Sequence, residues 1–163
     1  MIGRPTTART LAAQLHHLNS LGLANAIGAV IDRGGKLRFD FNVQPFVGAR
    51  EYQCRIELPR AGHNPDAYVL WPDLKALADG QFPPHIYDHN AGRTKLCLFM
   101  PGGGEWRAGF WLSETIVPWT IDWLRYYEIW LVDGTWHGGG EHPDTEPRRR
   151  YGIRGKRSQS RLT

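Results

Sequence analysis

Residues 85–99, HIYDHNAGRTKLCLF, place one cysteine, Cys97, behind a short run containing His85, Asp88, His89 and Asn90. These side chains support more than one chemistry. A thiolate is a nucleophile and acyl carrier or a metal ligand, and a buried thiol is a small hydrophobe. As a metal site, Cys97, His85 and His89 form a conceivable ligand set. Their spacing matches no common zinc module, and the chain has neither a CxxC pair nor an HExxH pattern. As a protease site, Cys97 needs a base histidine and an orienting acid. Both residue types are present, with no local protease signature around them. As an acyl carrier, Cys97 needs only to be reachable, with a donor close enough to stabilise the oxyanion that forms when an amine attacks a thioester. Asn90 lies seven residues ahead across a glycine-containing loop. A loop that folds back would bring its amide to the thiol.

The other cysteine has a plainer reading. Cys54 falls in EYQCRIELP, where Tyr52, Cys54, Ile56 and Leu58 share one face of a strand and Gln53, Arg55 and Glu57 the other. Its expected role is structural. Two cysteines are too few for a disulfide-stapled secreted domain and suit a reducing cytoplasm.

A chain of 163 residues is a natural size for one domain, and seven tryptophans, six tyrosines and six phenylalanines supply a bulky core. No apolar run is long enough to span a bilayer, and MIGRPTTART lacks the apolar centre of a signal peptide. The net charge of +4 conceals an asymmetry. Arg148, Arg149, Arg150, Arg154, Lys156, Arg157 and Arg161 all follow position 147 with no acid among them, which leaves residues 1–147 mildly acidic. The expected division is a domain over 1–147 and a basic, solvated tail over 148–163. Nucleic-acid binding through that tail is the lesser reading; it predicts affinity that falls steeply with salt and says nothing of Cys97.

The order of elements must position Cys97. Thr6 or Thr7 is placed to cap a first helix with Leu11, Leu15 and Leu18 on one face and Gly22 as its stop. A hairpin follows, NAIGAVID and KLRFDFNV around RGG, then EYQCRIELP and AYVLW, which together predict a four-stranded antiparallel meander. Residues 80–105 show little periodicity and predict an irregular segment carrying Cys97. SETIVPWTIDWLRYYEIWLVDG predicts a long closing helix with Pro118 in its first turn, Trp119, Trp123, Tyr127 and Trp130 along its packed face, and Gly134 at its end. The fold class is α+β, with the helices segregated from the strands.

In that order the elements resemble ubiquitin-conjugating (E2) enzymes over about residues 6–132. WPDL after the fourth strand and FPPHIYDHN are similar to the E2 stretch that runs through a proline pair to its His-Pro-Asn turn. LCL, Leu96 to Leu98, resembles the E2 active-site sequence, and Trp106 resembles the tryptophan before the next helix. The E2 His-Pro-Asn is here Asp88-His89-Asn90, one residue closer to the cysteine than usual. LCLFMPGGGEW and GTWHGGGEHP look more like the bacterial E2-like proteins of CBASS antiphage operons, of the stand-alone kind without an E1 domain.

The resemblance implies an E2/UBC-like fold and an acyl transferase of the ubiquitin-conjugating type, cytoplasmic and without a cofactor. Cys97 would carry the C-terminus of a protein cargo as a thioester and yield it to an amine. Asn90, with His85 or His89, would stabilise the oxyanion, and Asp88 would orient or deprotonate the amine, although a turn residue bonding its own backbone is an equal reading of Asp88. The implied cargo is a cGAS-like nucleotidyltransferase, and an E1-like activator is the second partner to consider. The alternative is a non-catalytic E2-fold module that binds such a partner.

Overall fold

The computed structural model describes residues 7–23 and 25–140. The basic tail and His142 lie outside the described residues, as does Thr6. Helix α1, Leu11–Ser20, starts one turn later than either expected cap: Thr10 Oγ1 accepts the Ala13 N–H at 3.1 Å. Leu18 is buried on its inner face, with Leu11 and Leu15 partly buried beside it. Gln14 is also fully buried, and its amide explains why. It donates to the Phe110 carbonyl at 2.8 Å and accepts from the Leu112 N–H at 3.1 Å, tying α1 to the chain ahead of the last helix.

The four expected strands are β1 (Ala26–Ile31), β2 (Leu37–Val43), β3 (Tyr52–Leu58) and β4 (Asp66–Trp71), each antiparallel to the next. Their alternation sets the register. Leu37 faces Leu58, Phe39 faces Ile56 and Phe41 faces Cys54, so one face of the sheet is continuous core. The opposite face carries ion pairs, Arg55 with Asp40 at 2.7 Å and Lys95 with Asp66 at 2.8 Å. Cys54 is completely buried, in keeping with its strand register.

The segment expected to be irregular is partly ordered into the sheet. After a short helix α2 (Leu74–Leu77), capped by Asp73, β5 (Ile86–Asn90) and β6 (Arg93–Leu96) form a hairpin. β6 pairs with β4 and β5 takes the outer edge, giving the order β1-β2-β3-β4-β6-β5. Ala91 and Gly92 both have positive φ, the geometry of a two-residue hairpin turn whose twist matches the strands. Residues 97–105 beyond the hairpin are irregular, as expected, and the irregular chain continues to 111.

Helix α3, Ile116–Asp133, follows a 3-10 turn at Leu112–Glu114 and ends at Gly134, which is left-handed with φ 74° and donates to the Trp130 carbonyl. Its buried side chains are Ile116, Val117, Thr120, Trp123, Leu124, Tyr127 and Glu128. The expected aromatic stripe packs on the core: Trp123 and Tyr127 are part of it, and Trp119 and Trp130 lie partly buried against it. The buried stripe from Ile116 to Glu128 recurs in steps of three and four along one face.

Glu128 is the polar exception on that face. Its carboxylate accepts from the buried Tyr52 hydroxyl and from Arg50 Nη1 at 2.8 Å, joining α3 to β3 and the turn before it. Burial and this carboxylate together hold the Tyr52 phenol far above its ordinary pKa. Glu128→Ala is expected to cost about 2 kcal/mol in urea unfolding, because it strands the Tyr52 hydroxyl in the core. Arg50→Ala should cost about 1 kcal/mol, because it takes the cation from this buried carboxylate but leaves the Tyr52 hydroxyl donating to it.

Candidate active site

Cys97 stands one residue past the end of β6, where the chain leaves the sheet. Its backbone N–H donates to the His85 carbonyl at 2.9 Å. The same carbonyl accepts the indole N–H of Trp123 from α3 at 3.0 Å. One oxygen thus fixes the cysteine to the start of β5 and both to the closing helix. His85 reaches this position through a left-handed backbone with φ 53°, which an L side chain adopts at some cost. Its ring is buried and stacks on Trp136, centroids 5.2 Å apart.

Trp136 belongs to a strap, residues 134–140, that returns over the site after α3. The indole also contacts Trp123 and Tyr126, at 5.4 and 5.9 Å between centroids. A Cβ on Gly138 would fall 2.6 Å from Trp136 Nε1, so only glycine lets the strap lie this close to its own indole. His137 Nε2 reaches back to Asp133 Oδ2 at 2.7 Å and anchors the strap to the helix end.

The partly buried thiol opens into a cleft. A pocket of about 250 Å³ lies between Cys97, His85, Glu105 and the aromatic side chains of α3 and the strap. A wider one of about 660 Å³ continues past Phe99, Met100 and Gly103. A third, about 280 Å³, lies across Leu98 and Phe99 and is lined by Tyr87, Lys95 and Pro65. The Cys97–Phe99 segment is therefore a ridge with open space on two sides.

Three causes act on the thiol. Burial raises its pKa above the ordinary cysteine value, the Tyr87 hydroxyl beside it lowers it, and the Glu105 carboxylate adds a further rise. Burial dominates, so Cys97 is held mainly as the neutral thiol at neutral pH. Tyr87, whose hydroxyl donates to the Phe99 carbonyl at 2.9 Å, has its own phenol pushed up by burial and by the sulfur. Cys54 is raised by burial alone and has no opening to solvent.

Of the residues singled out from the sequence, His85 shares the cleft with Cys97, and Asn90, Asp88 and His89 do not line it. The closed hairpin is the reason. Asn90 pairs with Arg93 at its tip, four residues before Cys97, or about 13 Å along an extended strand. The folded-back loop that was to carry the Asn90 amide to the thiol is corrected to this hairpin. Asp88 is exposed opposite Lys95. His89 bonds Thr94 Oγ1 through Nδ1 at 2.9 Å, and its Nε2 lies 3.4 Å from Asp73, the cap of α2. His85, His89 and Cys97 accordingly do not converge, and among the described residues no three His, Cys, Asp or Glu side chains are placed to hold a metal.

Tyr87, Glu105 and Trp136 were not identified from the sequence. The Asn90-Ala91-Gly92-Arg93 turn, with Thr94 and Leu96 alternating after it, was the available signal for the hairpin and would have put Tyr87 beside the cysteine. Glu105 and Trp136 carry no local signal, because each arrives from a separate irregular segment.

The family model described as Type II CBASS E2 protein matches residues 17–143. No curated protein matches the chain.

Iodoacetamide alkylation followed against pH should show Cys97 titrating above a free cysteine. Glu105→Gln should move that midpoint down and speed reaction at pH 8, and Tyr87→Phe should move it up and slow reaction. Opposite shifts would mean that these two groups do not act on the sulfur.

Proposed function

The chain belongs to the Type II CBASS E2 protein family, and from that premise we propose that Cys97 carries the C-terminal acyl group of a protein cargo as a thioester. The cargo in this reading is a cGAS-like nucleotidyltransferase, and the acyl group passes on to an amine. The observation that carries the proposal is that Cys97, its backbone fixed by the His85 carbonyl, opens into one groove while Leu98 and Phe99 beside it border a second. A tail can enter from one side and an acceptor from the other.

The state of the thiol fits a receiver of activated acyl groups. A thiol held protonated by burial is a poor spontaneous nucleophile. It gains its acyl group from a donor that is already activated, an adenylate or thioester, supplied by an E1-like partner or by the cargo itself. In that exchange the sulfur loses its proton, the new C–S bond forms, and the donor's leaving group departs. Binding excludes water, and the Tyr87 hydroxyl, turned from the Phe99 carbonyl toward the sulfur, favours negative charge there. In the second step the same hydroxyl stands beside the departing thiolate. With Asn90 at the hairpin tip, Tyr87 is the group we assign to charge stabilisation.

A non-catalytic module with the same fold is the second reading, and the partial burial of the Cys97 thiol is the observation in its favour. Intact mass of the protein co-expressed with a cGAS-like nucleotidyltransferase separates the two. The expected result is an adduct that reductant removes, that Cys97→Ala abolishes without loss of fold, and that Cys97→Ser retains as a more stable ester. An adduct that survives in Cys97→Ala, or an unmodified mass under every condition, overturns the assignment of Cys97 as carrier.

A further inference from the structure

The pocket between the thiol and α3 has a composition that thioester chemistry alone does not require. Trp119, Trp123, Tyr126 and Trp136 line it together with Leu98, and its acidic side chains are the carboxylates of Glu105 and Asp122. Among the described residues no lysine or arginine lines it. Asp122 is paired with Arg125 at 2.8 Å on the helix surface. Glu105 accepts the Met100 N–H at 2.9 Å, and among the described residues no lysine or arginine pairs with it. At about 250 Å³ the space is below the usual range for drug-sized ligands and suits one extended side chain.

Aromatic walls accept a methylene stem by apolar contact and a cation by their ring faces, with tryptophan the strongest of the three ring types. A carboxylate at the mouth adds direct charge attraction, and its weight is greater where the walls exclude water. A neutral apolar side chain would use the walls and waste the carboxylates. An anionic group would be repelled by both. A primary alkylammonium uses all of them.

We propose that the aromatic pocket lined by Trp119, Trp123, Tyr126 and Trp136, with Glu105 at its edge, binds the primary alkylammonium that becomes the acceptor amine opposite Cys97. The assignment rests on the acyl-carrier reading for its catalytic meaning, and the binding itself is independent of it. Two sources share this chemistry: a lysine side chain of a protein and a free aliphatic di- or polyamine. Transfer balances as follows. The ammonium gives one proton to Glu105, and from there to solvent, which frees the nitrogen lone pair. Nitrogen attacks the thioester carbon, the N–C bond forms, the C–S bond breaks, and the departing thiolate takes the second proton from nitrogen. Before it gives up that first proton, the cation near the sulfur also offsets the influence of Glu105 on the thiol.

The test uses the reduced protein and four probes, n-butylammonium, the isosteric neutral n-butanol, 1,4-diaminobutane and an N-acetyl lysyl amide peptide, with tryptophan fluorescence and indole N–H resonances as readouts. n-Butylammonium is expected to bind at least several-fold tighter than n-butanol. Glu105→Gln should weaken the cation by up to about five-fold, the scale of one partly exposed charge pair, and leave the alcohol unchanged. Tyr126→Ala, at an exposed position where folding is not at stake, should weaken both amines. The tighter of diaminobutane and the lysyl peptide identifies the source. Equal binding of butanol and butylammonium, or cation binding indifferent to Glu105→Gln, overturns the proposal and makes the pocket a plain apolar one. Selective cation binding in a protein that never forms a Cys97 adduct would sink the carrier reading and leave the ammonium pocket standing.

Discussion

The carbonyl oxygen of His85 is the point on which the site depends. It accepts the Cys97 N–H and the Trp123 indole N–H, and so joins the sheet edge, the cysteine ridge and the closing helix at one atom. A backbone carbonyl has two lone pairs, and both are used here. The left-handed backbone at His85 aims the oxygen inward and costs free energy, which these two bonds and the ring stack on Trp136 offset. Strain of this sort persists where several neighbours over-determine the geometry. Removing any one of them would loosen the register of Cys97 against α3.

The same arrangement explains the chemistry assigned to the thiol. Cysteines that attack unaided sit beside a cation or a helix N-terminus, which depresses their pKa. Among the described residues no lysine, arginine or helix N-terminus lines the cleft at Cys97; the thiol is partly buried, with a carboxylate that raises its pKa and a phenol hydroxyl that lowers it. A group so placed is ill suited to starting an acylation and well suited to holding an acyl group, because a more basic thiol is a poorer leaving group and its thioester survives longer. Membership of a Type II CBASS E2 family accords with such a division of labour, in which activation energy comes from elsewhere.

Where local pattern and tertiary contact agree, the two levels of description coincide. Period-two alternation in β2 and β3 and the apolar face of α1 led directly to the buried set, since a strand or helix with one apolar face has one way to bury it. They diverge around the cysteine. The β5–β6 hairpin is short, lies at the sheet edge and turns on Ala91, a residue type that disfavours positive φ, so its local signal is weak beside the tertiary pairing of β6 with β4. A folded-back loop and a closed hairpin can both follow from the same glycine. Only the pairing decides, and it moves Asn90 away from the sulfur while bringing Tyr87 to it.

The sequence by itself determined the α+β class, the order of helix, meander and closing helix, the structural role of Cys54 and the singling out of Cys97, because each follows from periodicity or from residue chemistry that acts locally. Tertiary structure alone decided which groups surround Cys97. Glu105 and Trp136 come from irregular segments eight and thirty-nine residues further along the chain, and Tyr87 from the opposite strand of a hairpin. Such neighbours are set by where chain ends and loops return over a core, a property of the whole packing. No local spacing encodes it.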